Sequence, residues 1–157
     1  MAASFSTASN MPNLPVDPDN REAQEGAVTA LMIGTRAEIL TLARYMQVLS
    51  AGFVASLAGR CINIHHSLLP GFRRARHCHR VREREVKLIG ATAHFVTADL
   101  DEGPIIEQAV EQVDHRAPVD DLIRIRRDIE AEVLACAVRR VAERRVLLND
   151  RRIIGFR

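Results

Sequence analysis

The stretch CINIHHSLLPGF, residues 61–72, sets an amide and two imidazoles at the end of an apolar run. Asn63 and His65 are two residues apart, so on a β-strand they share a face. An amide donor beside an imidazole can polarise a carbonyl and stabilise the oxyanion formed when that carbonyl is attacked. The imidazole, which titrates near neutrality, can also give or take the proton such chemistry moves. The alternative is that both side chains satisfy backbone groups at a strand end, and pattern alone favours that alternative. His66 follows His65 directly and is expected on the opposite face, so the two cannot share a metal ion without a kink. His77 and His79, at a helix start, do not face each other either. The spacing reads His66, His77, His94 and His115 as exposed or capped. No Cys lies at ligand spacing and no H-E-x-x-H occurs, so no metal site is expected.

The pair lacks a carboxylate to orient the imidazole or activate water. DLDEGP, residues 99–104, offers Asp99, Asp101 and Glu102 in a turn that Gly103 and Pro104 make tight. Acids in a turn are most often simply solvated, and these lack the ligand spacing of a calcium-binding loop. From spacing alone, an Asn–His–Asp site is the minority reading. No nucleophile elbow, P-loop or G-x-G-x-x-G occurs.

The elements that must position these residues follow from periodicity. AEILTLARYM carries Ile39, Leu40 and Leu42, which suits a buried strand, and SAGFVASLAG suits a short helix ending at Gly59. Cys61 to His65 then forms a second buried strand, closed by Pro70 and Gly71. This strand–helix–strand order with short connections predicts a right-handed parallel βαβ unit. In open parallel sheets, ligands gather beyond the carboxyl ends of the strands. RYMQ and NIHHS both fall there.

Upstream, DPDNREAQEGAVTALMIGT predicts a helix capped by Asp19 or Asn20 and stopped at Gly34. Downstream, RHCHRVREREVK reads as a helix with an arginine-rich face, LIGATAHFVTA as a strand and IIEQAVEQV as a half-buried strand. A long helix starts near Pro118, with Leu122, Ile125, Ile129, Val133, Ala137 and Val141 on one stripe. VLLNDRRIIGF predicts a hairpin around Asn149 and Asp150.

At 157 residues the chain has the size of one ordinary domain, and 47% hydrophobic with 27% charged residues fits a globular protein. A formal charge of +2 gives no reason to expect nucleic-acid binding. Cys61, Cys78 and Cys136 are odd in number and far apart, which excludes a disulfide framework and makes a reducing cytosol the simplest home. No window has the length of a transmembrane helix. Residues 1–13 have neither the apolar core of a secretory signal nor an arginine, and are expected to form a disordered leader before a folded unit spanning 14–157.

LARYMQVLS at 42–50, INIHHSLLPGF at 62–72, VKLIGATAHFVTADLDEGPIIEQ at 86–108 and VDHR at 113–116 resemble the carboxyl half of formyltetrahydrofolate deformylases. The wider formyltransferase family, which includes glycinamide ribonucleotide formyltransferase, shares the N-I-H…S-L-L-P and L-D-x-G-P elements. RYMQ, HHS and LDEGPII favour the deformylase branch, and the resemblance runs in register from about Leu14 to the end.

The resemblance implies a formyltransferase-type, Rossmann-like α/β fold with a mostly parallel sheet and flanking helices. It also implies binding of 10-formyltetrahydrofolate and its hydrolysis to formate and tetrahydrofolate, in one-carbon metabolism feeding purine biosynthesis. By the same resemblance Asn63, His65 and Asp101 match the catalytic Asn, His and Asp, with His66, Ser67 and Gly103 in support. Asn63 and protonated His65 would stabilise the oxyanion, and Asp101 would hold the water and relay its proton. Arg44, Tyr45, Met46, Gln47, Val48 and Leu49 match a segment bordering the folate pocket. Thr97, Ala98, Asp99 and Leu100 match the loop beside the pterin.

No prosthetic group or metal is implied, and the partner is a small folate rather than nucleic acid or membrane. Against the family pattern, an amino-terminal ACT-type domain and the first strands of the fold are expected to be missing. RARHCHRV stands where the family reads approximately GARPYHQA, so Arg74, His77 and Cys78 depart while His79 fits. A strand left open at the sheet edge would invite a homo-oligomer or another partner. Two alternatives accompany hydrolysis: a remnant that binds folate or another subunit, and formyl transfer to an amine such as glycinamide ribonucleotide.

Overall fold

The computed structural model describes residues 20–45, 47–70, 87–114, 116–149 and 152–156. The expected leader, the arginine-rich helix with His77, Cys78 and His79, and Met46, His115 and Asp150 lie outside the described residues.

Helix α1, Arg21–Thr35, begins after Asn20, whose side chain makes no capping bond, and carries Glu22 in its first turn. The expected stop at Gly34 is overturned, because Gly34 lies inside the helix. The residue that turns left-handed is Arg36, with φ 54°, and its N–H and that of Ala37 return to the carbonyls of Ile33 and Met32. Those two bonds satisfy the last carbonyls, which offsets the cost of a non-glycine residue in that conformation.

Strand β1, Leu40–Ala43, runs parallel to β2, Cys61–His65, with Leu40 opposite Cys61 and Leu42 opposite Asn63. Between them α2, Ala51–Ser56, is capped by Ser50, whose Oγ accepts from the Phe53 N–H at 3.2 Å. The Ser50 N–H and hydroxyl both donate to the Glu25 carboxylate, which ties α2 to α1. β2 is buried as expected, whereas β1 alternates half-buried with exposed positions. The difference is positional: β1 is the edge of the described sheet and has β2 as its neighbour on one side only.

Strand β3, Leu88–Phe95, pairs antiparallel with β2, and β4, Ile105–Gln112, pairs antiparallel with β3, giving the order β1-β2-β3-β4. The sheet is therefore mixed, with one parallel and two antiparallel pairings, rather than mostly parallel. The 96–104 loop between β3 and β4 is too short for the crossover that a parallel neighbour requires.

Helix α3, Val119–Ala142, lies across this sheet. Its buried Leu122, Ile129, Val133 and Ala137 meet Ile62, Ile64, Ala91 and Ala93 in the main core, with Ile125 and Val141 of the expected stripe half-buried beside them. Each fully buried aliphatic side chain contributes about 1.5–3 kcal/mol. A smaller core of Met32, Phe53, Leu57 and Cys61 closes the side under α1 and α2. Burial pushes the Cys61 thiol up to about 11, so it serves as an inert packing group. The expected terminal hairpin is present as β5, Val146–Asn149, and β6, Arg152–Gly155. Among the described residues no helix is long and apolar enough to cross a membrane.

Candidate active site

Pairing between β2 and β3 sets Asn63 opposite His94 and His65 opposite Thr92. The loop beyond β3 then folds back over the same strand ends. Its closure is backbone work: Val96 N–H reaches the Cys61 carbonyl at 2.9 Å, and Phe95 N–H reaches the Pro104 carbonyl at 3.0 Å. Gly103 makes this possible, since a Cβ there would fall 1.6 Å from the Phe95 carbonyl oxygen. Asp101, two residues earlier, adopts the left-handed conformation with φ 55°. Asp and Asn tolerate that conformation better than most side chains.

The result brings Asn63 and His65 of β2 together with Asp101 of the 96–104 loop, two separate parts of the chain. Asp101 Oδ2 lies 3.5 Å from His65 Nε2, and its Oδ1 lies 3.7 Å from His94 Nε2. Both distances are within ion-pair reach but longer than a tight hydrogen bond. Asn63 Nδ2 lies 3.3 Å from His94 Nε2, and His94 Nδ1 lies 2.9 Å from the Phe95 carbonyl. On the far side of the His65 ring, Ser67 Oγ lies 3.0 Å from His65 Nδ1. A hydroxyl can donate to a bare ring nitrogen or accept from a protonated one, so Ser67 can support His65 in either state.

The turn carrying His65–Ser67 is pinned by a buried threonine. Thr92 Oγ1 donates to the Ser67 carbonyl at 2.8 Å and accepts from the Leu69 N–H at 3.1 Å. Gln108 Nε2 adds bonds to Thr92 Oγ1 and to the Leu69 carbonyl, at 2.8 and 2.9 Å. Thr92 is thereby fully satisfied at 0% exposure, and β2, β3 and β4 are locked behind the site.

These groups open onto a broad cleft of about 1180 Å³. Asn63, His65, His66 and Asp101 line it, together with Arg44, Tyr45, Gln47, Val48 and Leu49 on one side and Thr97, Ala98, Asp99 and Leu100 on another. Met46 lies outside the described residues, while Ser67 and Gly103 sit behind the wall rather than in it. Burial, with the Glu25 carboxylate adding to it against Arg21, raises the Tyr45 phenol, so it stays a neutral donor at the cleft wall. Among the described residues, no three or more His, Cys, Asp or Glu side chains are disposed to hold a metal ion.

Two readings of the histidines are corrected. β2 ends at His65, so the alternation that would send His66 to the opposite face has already stopped. The His66 ring instead stacks on His65, with centroids 5.0 Å apart and planes 15° apart. His94 is neither exposed nor a cap: it is 2% exposed and in the centre of the cluster. Its signal in the sequence is a single imidazole near the end of the largely apolar strand LIGATAHF, much as His65 ends CINIH. Arg126, Arg127 and Glu130 of α3 also line the cleft. Arg126 Nε is within 3.3 Å of Glu130 Oε1 without hydrogen-bond geometry. Nothing in the local helical pattern of α3 announces that placement, since it depends on how α3 crosses the sheet.

A mixed α/β sheet gathers an amide, an imidazole and a carboxylate at the mouth of one cleft, a set of groups that can polarise a carbonyl and activate water. The chain belongs to the formyl transferase family, whose model matches residues 5–138. It is similar to a formyltetrahydrofolate deformylase of Synechocystis sp. (strain ATCC 27184), at 51% identity over 143 residues, 91% of this chain and 50% of that protein. A crystal structure of formyltetrahydrofolate deformylase from Burkholderia mallei matches with a TM-score of 0.83 and 52% identity, over 91% of this chain and 51% of that one. Glycinamide ribonucleotide transformylase 1 from Symbiobacterium toebii matches with a TM-score of 0.78 and 34% identity, over 90% of this chain and 68% of that one. The chain spans about half the length of the curated relatives it matches.

Proposed function

We propose that this chain carries the hydrolytic site for 10-formyltetrahydrofolate, releasing formate and tetrahydrofolate. The observation that supports this most is the approach of Asp101 to His65 within 3.5 Å at a cleft also lined by Asn63. The deformylase names of the similar proteins point the same way.

In this reading Asp101 holds a water and takes its proton as the oxygen attacks the formyl carbon. The new C–O bond converts the carbonyl to a tetrahedral oxyanion, which the Asn63 amide N–H and the protonated His65 ring stabilise. Collapse breaks the bond from the formyl carbon to N10, and that nitrogen leaves with the proton taken from water. Formic acid and tetrahydrofolate result, and the acid releases the second proton of the water to solvent to become formate.

These steps use protein groups and water, without a prosthetic group. A folate is the small-molecule partner, with neither nucleic acid nor a membrane surface involved. A reducing cytosol suits the buried thiol of Cys61. The β1 edge is the place where another strand, from a second copy or a partner, would extend the sheet.

The alternative of formyl transfer to an amine is separated by one assay. Purified chain incubated with 10-formyltetrahydrofolate is expected to release formate and tetrahydrofolate in equal amounts. Adding glycinamide ribonucleotide is expected to change neither the rate nor the products. Formylated ribonucleotide in place of formate would overturn hydrolysis in favour of transfer. A cooperatively folded sample with no turnover would favour a folate-binding or subunit-binding role.

A further inference from the structure

Asn63 can stabilise an oxyanion only if its NH₂ edge, not its oxygen, faces the reacting carbonyl. The two edges of a carboxamide have nearly the same shape, so packing does little to choose between them. The neighbour that chooses is His94, opposite Asn63 in the β2–β3 register. His94 Nδ1 lies 2.9 Å from the Phe95 carbonyl oxygen, which can only accept, so Nδ1 carries the ring proton. In the neutral ring Nε2 then has only a lone pair. It faces Asn63 at 3.3 Å, and only the Nδ2 edge of the amide can meet it with a hydrogen. One Nδ2–H is used there, and the other remains for the cleft that Asn63 lines.

We propose that His94 is a positioning residue for Asn63: the Phe95 carbonyl fixes the His94 tautomer, and that tautomer fixes the amide with a donor toward the oxyanion. The proposal rests on the hydrolytic reading for its consequence, but not for its geometry. A second effect falls on Asp101. With no hydrogen on His94 Nε2, the 3.7 Å contact to Asp101 Oδ1 is not a hydrogen bond, so that oxygen stays available to hold water.

Protonating His94 would reverse the arrangement. A hydrogen on Nε2 would meet the Asn63 NH₂ donor to donor, the amide would turn over, and its donor would leave the oxyanion position. The charged and titratable groups facing the ring are Asp101 on the loop and His65 on β2. Burial lowers the His94 pKa and outweighs the Phe95 bond and the Asp101 carboxylate, which raise it, while His65 adds to the lowering. The donor is therefore held through neutral pH and lost in acid.

The tautomer is measured directly on ¹⁵N-labelled full chain near pH 7.5 by long-range proton–nitrogen NMR of the imidazoles. The expected spectrum has His94 protonated on Nδ1 alone, with a scalar coupling across the hydrogen bond from Asn63 Nδ2 to His94 Nε2. A ring protonated on Nε2 overturns the proposal, and because no turnover is needed, this result is independent of the hydrolytic reading.

In the hydrolysis assay, His94→Phe is expected to lower kcat about ten- to a hundredfold with KM unchanged. Because His94 acts through Asn63, the double variant with Asn63→Ala should be no slower than Asn63→Ala alone. Multiplying losses would overturn the assignment. His94→Gln, whose amide offers a donor and an acceptor at similar separation, should recover most of the rate and move the acid limb of the pH profile to lower pH. An acid limb unchanged in His94→Gln would place the titration elsewhere.

Discussion

Replacing Asp101 with Asn is expected to lower hydrolytic turnover by about 10²–10⁴-fold while leaving the fold intact. The substitution is nearly isosteric and keeps two features the position demands. Asn tolerates the left-handed backbone that Asp101 adopts with φ 55°, which alanine would oppose. It also keeps polar atoms beside His65 and His94. What it loses is the carboxylate that can take a proton from water. The loss should therefore fall on kcat, with KM for 10-formyltetrahydrofolate nearly unchanged. Steady-state kinetics with a parallel denaturation curve separate the two effects. A variant with near wild-type kcat would remove Asp101 from the chemistry, and one that no longer folds cooperatively would make its role structural.

Gly103→Ala is expected to be the most damaging single methyl group in the described chain. Its Cβ would sit 1.6 Å from the Phe95 carbonyl oxygen and 3.2 Å from His94 Nδ1. The first obstacle is backbone at the end of a paired strand, so no side-chain rotation relieves it. Either β3 or the turn must shift, at a cost of about 3 kcal/mol. The turn carries Asp101, and a displacement near 1 Å costs about a hundredfold in rate. Stability and turnover should therefore fall together. Gly26→Ala is the control: nothing lies within 4 Å of the Cβ it would add in α1, and the change should stabilise by about 0.5–1 kcal/mol. Urea midpoints for both variants check the pair. Equal midpoints would show that the turn has slack the geometry does not suggest.

Local periodicity carried much of the fold. The stripe on α3 was legible because one face of a long amphipathic helix repeats many times, and Leu122, Ile129, Val133 and Ala137 are indeed buried. The shared face of Asn63 and His65 was legible because alternation along β2 is a local rule. His66 escaped it by standing one residue beyond the strand. Gly34 and Arg36 show the same boundary problem at a helix end, where two backbone bonds from the next turn decided the stop.

The site itself was legible only in part, because its third and fourth members arrive by long-range pairing. Asp101 reaches His65 through the β2–β3 register and the fold-back of the 96–104 loop, neither of which is written in the spacing of DLDEGP. Without the family resemblance that turn reads as solvated acids. A lone imidazole in a strand is ambiguous until its cross-strand neighbour is known, and for His94 that neighbour is Asn63. The edge position of β1 likewise depends on which strands flank it, so its half-exposed pattern could not be read from Ile39, Leu40 and Leu42.

The central claim is that water, held by Asp101 and drawn onto a formyl carbon by Asn63 and His65, is the nucleophile. The direct measurement is hydrolysis of 10-formyltetrahydrofolate by the purified chain in ¹⁸O-labelled water, with formate analysed by mass spectrometry. One labelled oxygen per formate, from the wild-type chain and not from Asp101→Asn, is the predicted result. No formate from a folded sample, or labelled formate produced equally well by Asp101→Asn, would contradict it.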